Sequence, residues 1–417
     1  MTTAPPPSAA AADHARLTRL GRASLVAAAL GALATAAALV VDPVAWLRGY
    51  VVSFHLLLAI ALGSLLLLMV HLSVASRWGL VVRPVLMAAL ATLPLLALAA
   101  APLLVTPLFR AGTLYPWSDP AIVAASELLQ KKTAWLDPMG FAWRGVFYLL
   151  VWLGLTWWWR RLLARPEARS IDTLLPLSRP PAAAGLIALC LTVAAASVDW
   201  AMSLEPTWYS SMYPLIFLAG DALTAMAFTY AVALWLSGAG GAMTAALTRG
   251  RSRDLANLLL TCVIVFAYTA FFQYLIAWQG DKRHEVIWYV HRRAGGWQLL
   301  VAGLAVFQLA LPLGVLLFRE LKHRARPMLA LCGVVLLMRG VDLYWTVMPA
   351  FHPGGFHMSW TFPASLCLLG GAWGFVFARA LGSGPVASPE ALEAAADEPD
   401  DPPLRATVIE EARHGLA

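Results

Sequence analysis

Charge and cysteine are what this sequence has least of. Charged residues make up 13% of the chain, about half the share of an ordinary soluble domain. The four cysteines, Cys190, Cys262, Cys332 and Cys367, each stand in a different apolar run, and neither CxxC nor CxxCH occurs. Without those spacings the chain has no ligands of its own for an iron–sulfur cluster or a covalently attached c-type haem. Isolated cysteines in apolar helices behave as small core residues. A facing pair of histidines is missing too. His55 and His71 share one apolar run, about 24 Å apart at 1.5 Å per residue. His284, His291, His323, His352 and His357 fall outside the runs or at their ends. A b-type haem needs an axial ligand from a facing helix, so no haem and no metal site is expected.

What is present in excess is apolar surface. Residues of the AVILMFWYC set make up 60% of the chain, and the mean hydropathy is +0.71. An aqueous core cannot absorb this much apolar surface, whereas a bilayer can. The net charge of +7 would suggest nucleic acid in a soluble protein. Here it reflects arginines flanking membrane spans, and lipid rather than nucleic acid is the expected surroundings.

About 20 apolar residues cross a hydrocarbon core. The pattern predicts ten helices, near 23–41, 51–75, 84–105, 140–159, 181–203, 210–236, 255–279, 296–318, 327–350 and 358–378. The first run follows a long polar stretch and is too long for a signal-peptide core, so it is expected to be a retained anchor. With the N-terminus placed in the cytoplasm, 20 of the 30 Lys and Arg fall on inner segments, nine fall outside and Arg339 lies within a span. This is the positive-inside bias, and it favours both termini in the cytoplasm. Trp157, Trp158 and Trp159 precede Arg160 and Arg161, as in an aromatic belt at the inner headgroups.

The expected organisation is a disordered N-terminus over 1–22, a transmembrane domain over 23–381 and an acidic, Pro- and Ala-rich disordered tail over 382–417. The longest outer segment is 106–139, where Asp119 and Pro120 fit the cap and first position of a short helix running through Lys132. The loop DKRHEVIWYVHRRAGG mixes both charges with aromatics and reads as an interfacial docking surface rather than a binding site.

Ionisable residues inside spans are rare and face a protein interior or a wet cavity. Arg339 and Asp342, at i and i+3, can pair on one helix face, either as a structural lock or as a station on a proton or quinol path. Asp221 lies near the middle of the sixth span, at a depth similar to Arg339. It is either a proton-relay acid, a structural partner or the lining of a water cavity. Asp199 sits near the outer end of the fifth span, with Glu205 just beyond it. Asp199 and Asp342 share a Val-Asp pair followed by an aromatic, Met and Pro, four spans apart, a faint internal repeat. His55, near the outer surface, either lines a quinol or proton entrance or is a hydrogen-bonded structural residue. Gln273, Gln279, Gln298 and Gln308 fit the role of inter-helix glue.

The blocks VDWAMSLEPTWYSSMYPLIFLAG (198–220), FFQYLIAWQGDKRHEVIWYVHRRAGGW (271–297) and MRGVDLYWTVMPAFHP (338–353) resemble the large NrfD-like membrane subunits of bacterial alternative complex III, a quinol:cytochrome c oxidoreductase. The likeness is nearest to the second such subunit, often described as quinone-binding subunit 2. It spans roughly 181–380, and the span count extends it over nearly the whole chain. The resemblance implies an all-α fold of two four-helix bundles plus two peripheral helices. It implies partners in a multihaem c-type cytochrome, an iron–sulfur subunit and a homologous large membrane subunit, in the bacterial inner membrane. It also implies a non-catalytic or quinone-interacting subunit that scaffolds the complex and contributes a proton path. That proposal carries over to Asp199, Glu205, Arg339 and Asp342; Asp221 is added on its depth alone. Menaquinone or ubiquinone is then the one small molecule to expect. The alternatives are the anchor of a polysulfide-reductase-like quinone oxidoreductase and a solute transporter. Against a transporter stands the lack of Gly/Pro-interrupted helix pairs in inverted halves, although Pro94 and Pro102 interrupt the third span.

Overall fold

In hydrocarbon every backbone N–H and C=O must find its partner within the segment, which a helix achieves and an open strand does not. The computed structural model, which describes residues 7–74, 76–165, 171–238, 240–397 and 401–404, follows this rule. Among the described residues there are no strands beyond a lone bridge between Thr248 and Pro403, and ten helices are long and apolar enough to cross a membrane. The chain is a multi-pass membrane protein. We number the spans α1 (Pro7–Val41), α2 (Pro43–Val74), α3 (Arg77–Phe109), α4 (Pro138–Leu163), α5 (Ile171–Trp200), α6 (Tyr213–Ser237), α7 (Arg249–Gly280), α8 (Trp297–Leu317), α9 (Ala325–Val347) and α10 (Thr361–Gly382).

Two rings of four helices make up the body. In the first, α2 packs on α3, α3 on α4, α4 on α5 and α5 back on α2; in the second, α6 through α9 close in the same way. Helices α2 and α6 form the seam between the rings, while α1 and α10 pair lengthwise and lie against α2. The seam is tight at Gly63, where any Cβ would collide with the carbonyl oxygen of Asp221. Asp199 and Asp342 stand on α5 and α9, the fourth helix of each ring, in keeping with the faint repeat.

An even number of spans puts both ends at one face, the terminal side. The segments 110–137, 201–212, 281–296 and 348–360 lie at the other, the loop side. At the loop side the expected short helix is in fact two. Asp119 caps Pro120–Ala124 by accepting the Ala121 N–H at 2.8 Å, and Ser126 restarts the chain as Glu127–Lys132.

The terminal side corrects two expectations of disorder. Residues 7–22 are helical and continuous with α1, because their run of Ala, Leu and Arg favours helix and finds partners. The Asp13 carboxylate accepts the Ala242 N–H at 3.1 Å, and Arg16 donates to the Trp235 and Gly238 carbonyls at the end of α6, where a cation complements the helix dipole. Residues 1–6 lie outside the described residues. The tail is also packed over 383–397 and 401–404, with a helix Pro389–Ala396. Its acids are absorbed by specific partners. Glu390 pairs with Arg83 at 2.7 Å, and Asp401 accepts the Thr248 hydroxyl at 2.5 Å and the Gly250 N–H at 2.9 Å. Asp401 thereby satisfies orphan donors at the start of α7, and Leu404 is buried beside it. The remaining tail residues lie outside the described residues.

Candidate functional site

The second ring is not filled to its axis. It encloses a cavity of about 550 Å³ toward the loop side, walled largely by α6–α9 aromatics such as Tyr213, Phe217, Phe266, Tyr274 and Trp345. Trp288, Tyr289, Arg292 and Arg293, from the loop that the sequence marks as a docking surface, line it as well. That loop is therefore part of the site, because its helix Arg283–Val290 carries the tryptophan and tyrosine over the ring.

Arg339 and Asp342 line this cavity. Their i, i+3 spacing on α9 lets Arg339 Nη1 donate to Asp342 Oδ2 at 2.5 Å. The guanidinium also donates through Nε to Thr224 Oγ1 at 3.1 Å and lies 4.6 Å from the Phe266 ring centre. It crosses α6 where Gly220 leaves room, since a Cβ there would strike the guanidinium. Arg339 is thus a buried cation, 2% exposed, held by one acid, one hydroxyl and one aromatic face.

Asp221 lies on the other side of a thin wall. With His55 it lines a cavity of about 20 Å³ at the seam between the rings, room for a single water. Phe217 and Leu343 line both cavities and separate them. Asp221 forms no salt bridge with Arg339 among the described residues, although it lies within the guanidinium's electrostatic reach. His55 Nδ1 is 2.8 Å from the Val51 carbonyl, and its Nε2 has no partner among the described residues.

Asp199 and Glu205 stand apart from both cavities. Asp199 is fully buried and accepts from Trp135 Nε1 at 2.8 Å, from Arg144 Nε at 2.9 Å and Nη2 at 3.1 Å, and from Tyr148 at 2.9 Å. With its oxygens saturated, it anchors the loop-side segment to the first ring. Glu205 takes His291 Nδ1 at 3.1 Å and Arg292 Nη2 at 2.7 Å. Burial pushes its carboxyl up, but His291 and Arg292 outweigh burial and hold it below its ordinary range. Arg292 stacks 3.5 Å from the Trp288 ring centre and donates to the Thr346 carbonyl at 2.7 Å. Glu205 therefore acts on the cavity through Arg292, by fixing its roof.

Two of the four glutamines have side-chain partners on the loop side. Gln273 accepts from Ser210 at 2.5 Å, and Gln298 accepts the Gly296 N–H at 3.0 Å. Gln308 is different. It lines the cavity, is 4% exposed, and neither of its side-chain polar atoms has a partner among the described residues. The sequence alone offers Gln308 as inter-helix glue and Arg292 as part of a docking surface, and marks neither as lining a cavity. The one available signal for Gln308 was Pro312, four residues downstream.

An aromatic box with a guanidinium–carboxylate pair at one wall and an open carboxamide at another suits a flat amphipathic molecule bearing oxygens. No group of three or more His, Cys, Asp or Glu stands together among the described residues. The cavity's polar groups are instead guanidinium, carboxylate, carboxamide and phenol. No family model matches this chain, and no curated protein matches it.

Proposed function

We propose that this chain is an integral subunit of a bacterial quinol-oxidising respiratory complex of the alternative complex III type, seated in the inner membrane with both termini cytoplasmic. It scaffolds partners that carry the c-type haems and iron–sulfur clusters, beside a homologous large membrane subunit. Its buried charges pass protons. The observation that carries this reading is the Arg339–Asp342 pair open to an aromatic cavity, with Asp221 behind Phe217 and Leu343.

A carboxylate lining a cavity inside the membrane can take up and pass on a proton, and the neighbouring guanidinium stabilises its charged form. Asp342 is the first stop and Asp221 the second, with the wall of Phe217 and Leu343 between them. Asp199 and Glu205 hold the loop-side frame, and His55 flanks the second stop. A menaquinol or ubiquinol headgroup fits the cavity's chemistry, with its hydroxyls toward Asp342. The test is the assembled complex carrying Asp342→Asn or Asp221→Asn, assayed for protons released and taken up per quinol oxidised. A fall in that ratio with assembly intact is expected. An unchanged ratio in both variants would exclude the proton path.

A solute carrier is the second reading. It is favoured by the cavity's size and by α3, which breaks near Thr92 and again at Ala100, each break followed by a proline. Sustained uptake by the chain reconstituted alone would choose it over the first.

A further inference from the structure

The strongest unexplained feature of the cavity is the Gln308 carboxamide. A buried amide without partners is costly, on the order of 1–3 kcal/mol in proteins. Helix α8 goes out of its way to place it there. Over Ala305–Ala310 the helix opens to a π-helical turn. Pro312 explains the opening, since it has no N–H to give the carbonyl of residue 308 and its ring crowds that carbonyl. Single π turns inside α-helices recur at functional sites, where they re-aim a side chain.

The same helix shapes the way in. Near the terminal side Leu311–Leu317 packs on α7, whereas toward the loop side Trp297–Leu304 packs on α9 instead. The two helices therefore part beside the cavity. Phe271 and Tyr274 of α7 and Val301 of α8 line the cavity yet are at least 40% exposed. Phe271 lies about 14 Å from the loop-side end of α7 at 1.5 Å per residue, a depth that faces lipid tails rather than water.

We infer that Gln308 is the hydrogen-bonding handle of the cavity, holding a lipid-soluble ring with hydroxyl or oxo substituents that enters from the bilayer between α7 and α8. This rests on the quinol reading of the same cavity and adds the residue that recognises the ligand. A carboxamide is both donor and acceptor, so it serves a hydroxyl in the reduced molecule and a carbonyl in the oxidised one. An ionised Asp342 can only accept, and so favours the reduced form.

The test is the dissociation constant of decylubiquinone for the full-length chain in detergent, read as saturable quenching of tryptophan emission, since Trp208, Trp288 and Trp345 line the cavity. Gln308→Leu and Gln308→Met keep the volume and remove the amide. Both are expected to weaken binding about tenfold or more. Gln298→Leu removes an amide whose oxygen already has a partner, and is expected to stay within about twofold of the parent. Gln308 variants that melt like the parent and bind within twofold of it would overturn the handle. Equal losses in the Gln298 and Gln308 variants would also overturn it, as a general distortion. No saturable quenching in the parent chain would overturn the quinol reading of the cavity and this inference together.

Discussion

Replacing Arg339 by methionine removes a buried cation from the wall of the second ring's cavity while roughly preserving its volume. The guanidinium is 2% exposed and holds Asp342 at 2.5 Å, Thr224 at 3.1 Å and the Phe266 ring at 4.6 Å. Removing one partner of a buried ion pair costs about 3–5 kcal/mol, because the other charge is left behind. Asp342 faces the cavity and can relieve part of that by taking a proton, so a loss near 3 kcal/mol is expected for Arg339→Met. The double variant Arg339→Met with Asp342→Leu leaves no orphan charge, and apolar replacement of a whole buried pair is often neutral or better. It should lie within about 1 kcal/mol of the parent, well short of the summed losses of Arg339→Met and Asp342→Leu in a double-mutant cycle. The assay is reversible unfolding of the purified chain in mixed micelles, followed by tryptophan emission. A single variant as stable as the parent, or a double variant as unstable as the sum of the singles, would refute a buried coupled pair.

Three further outcomes can be checked separately. Gly63→Val should destabilise by about 1–3 kcal/mol, because its side chain would press on the Asp221 carbonyl and spread α2 from α6; the same unfolding assay reads it. Asp401→Ala strips the start of α7 of its anionic cap, worth about 1 kcal/mol, and should make the tail beyond Gly382 several-fold more sensitive to limited proteolysis while the spans stay protected. Glu205, whose folded pKa lies below its ordinary 4.5, contributes stability that is present above that value and lost as pH falls through the folded value. Melting temperature should therefore drop in acid for the parent and less for Glu205→Gln, and equal slopes would contradict this.

Much of the fold could be read from residue patterns because a bilayer leaves so few options. Apolar length alone located the spans, and Arg339 announced itself by being charged among leucines and valines. The Arg339–Asp342 pair was legible because i, i+3 neighbours share one face of a helix and can meet there. The tail was not legible, since composition registers that Glu390 and Asp401 are acidic but not that Arg83 and the free N–H groups of α7 await them. Asp199 looked like a proton-path acid, and only its three-dimensional neighbours Trp135, Arg144 and Tyr148 reveal a saturated anchor. Gln308 is the hardest case. A glutamine in a span reads as helix glue, and what makes it a site is a cavity formed by packing distant in sequence.

The central claim is membership of a quinol-oxidising complex, and it is tested most directly by purifying the tagged full-length chain from its native membrane in mild detergent. Co-eluting proteins are then identified by mass spectrometry, and a visible spectrum is taken. The proposed role predicts co-purifying multihaem cytochrome and iron–sulfur subunits with reduced c-type haem bands. A haem-free chain eluting alone would contradict it and leave the solute carrier as the better reading.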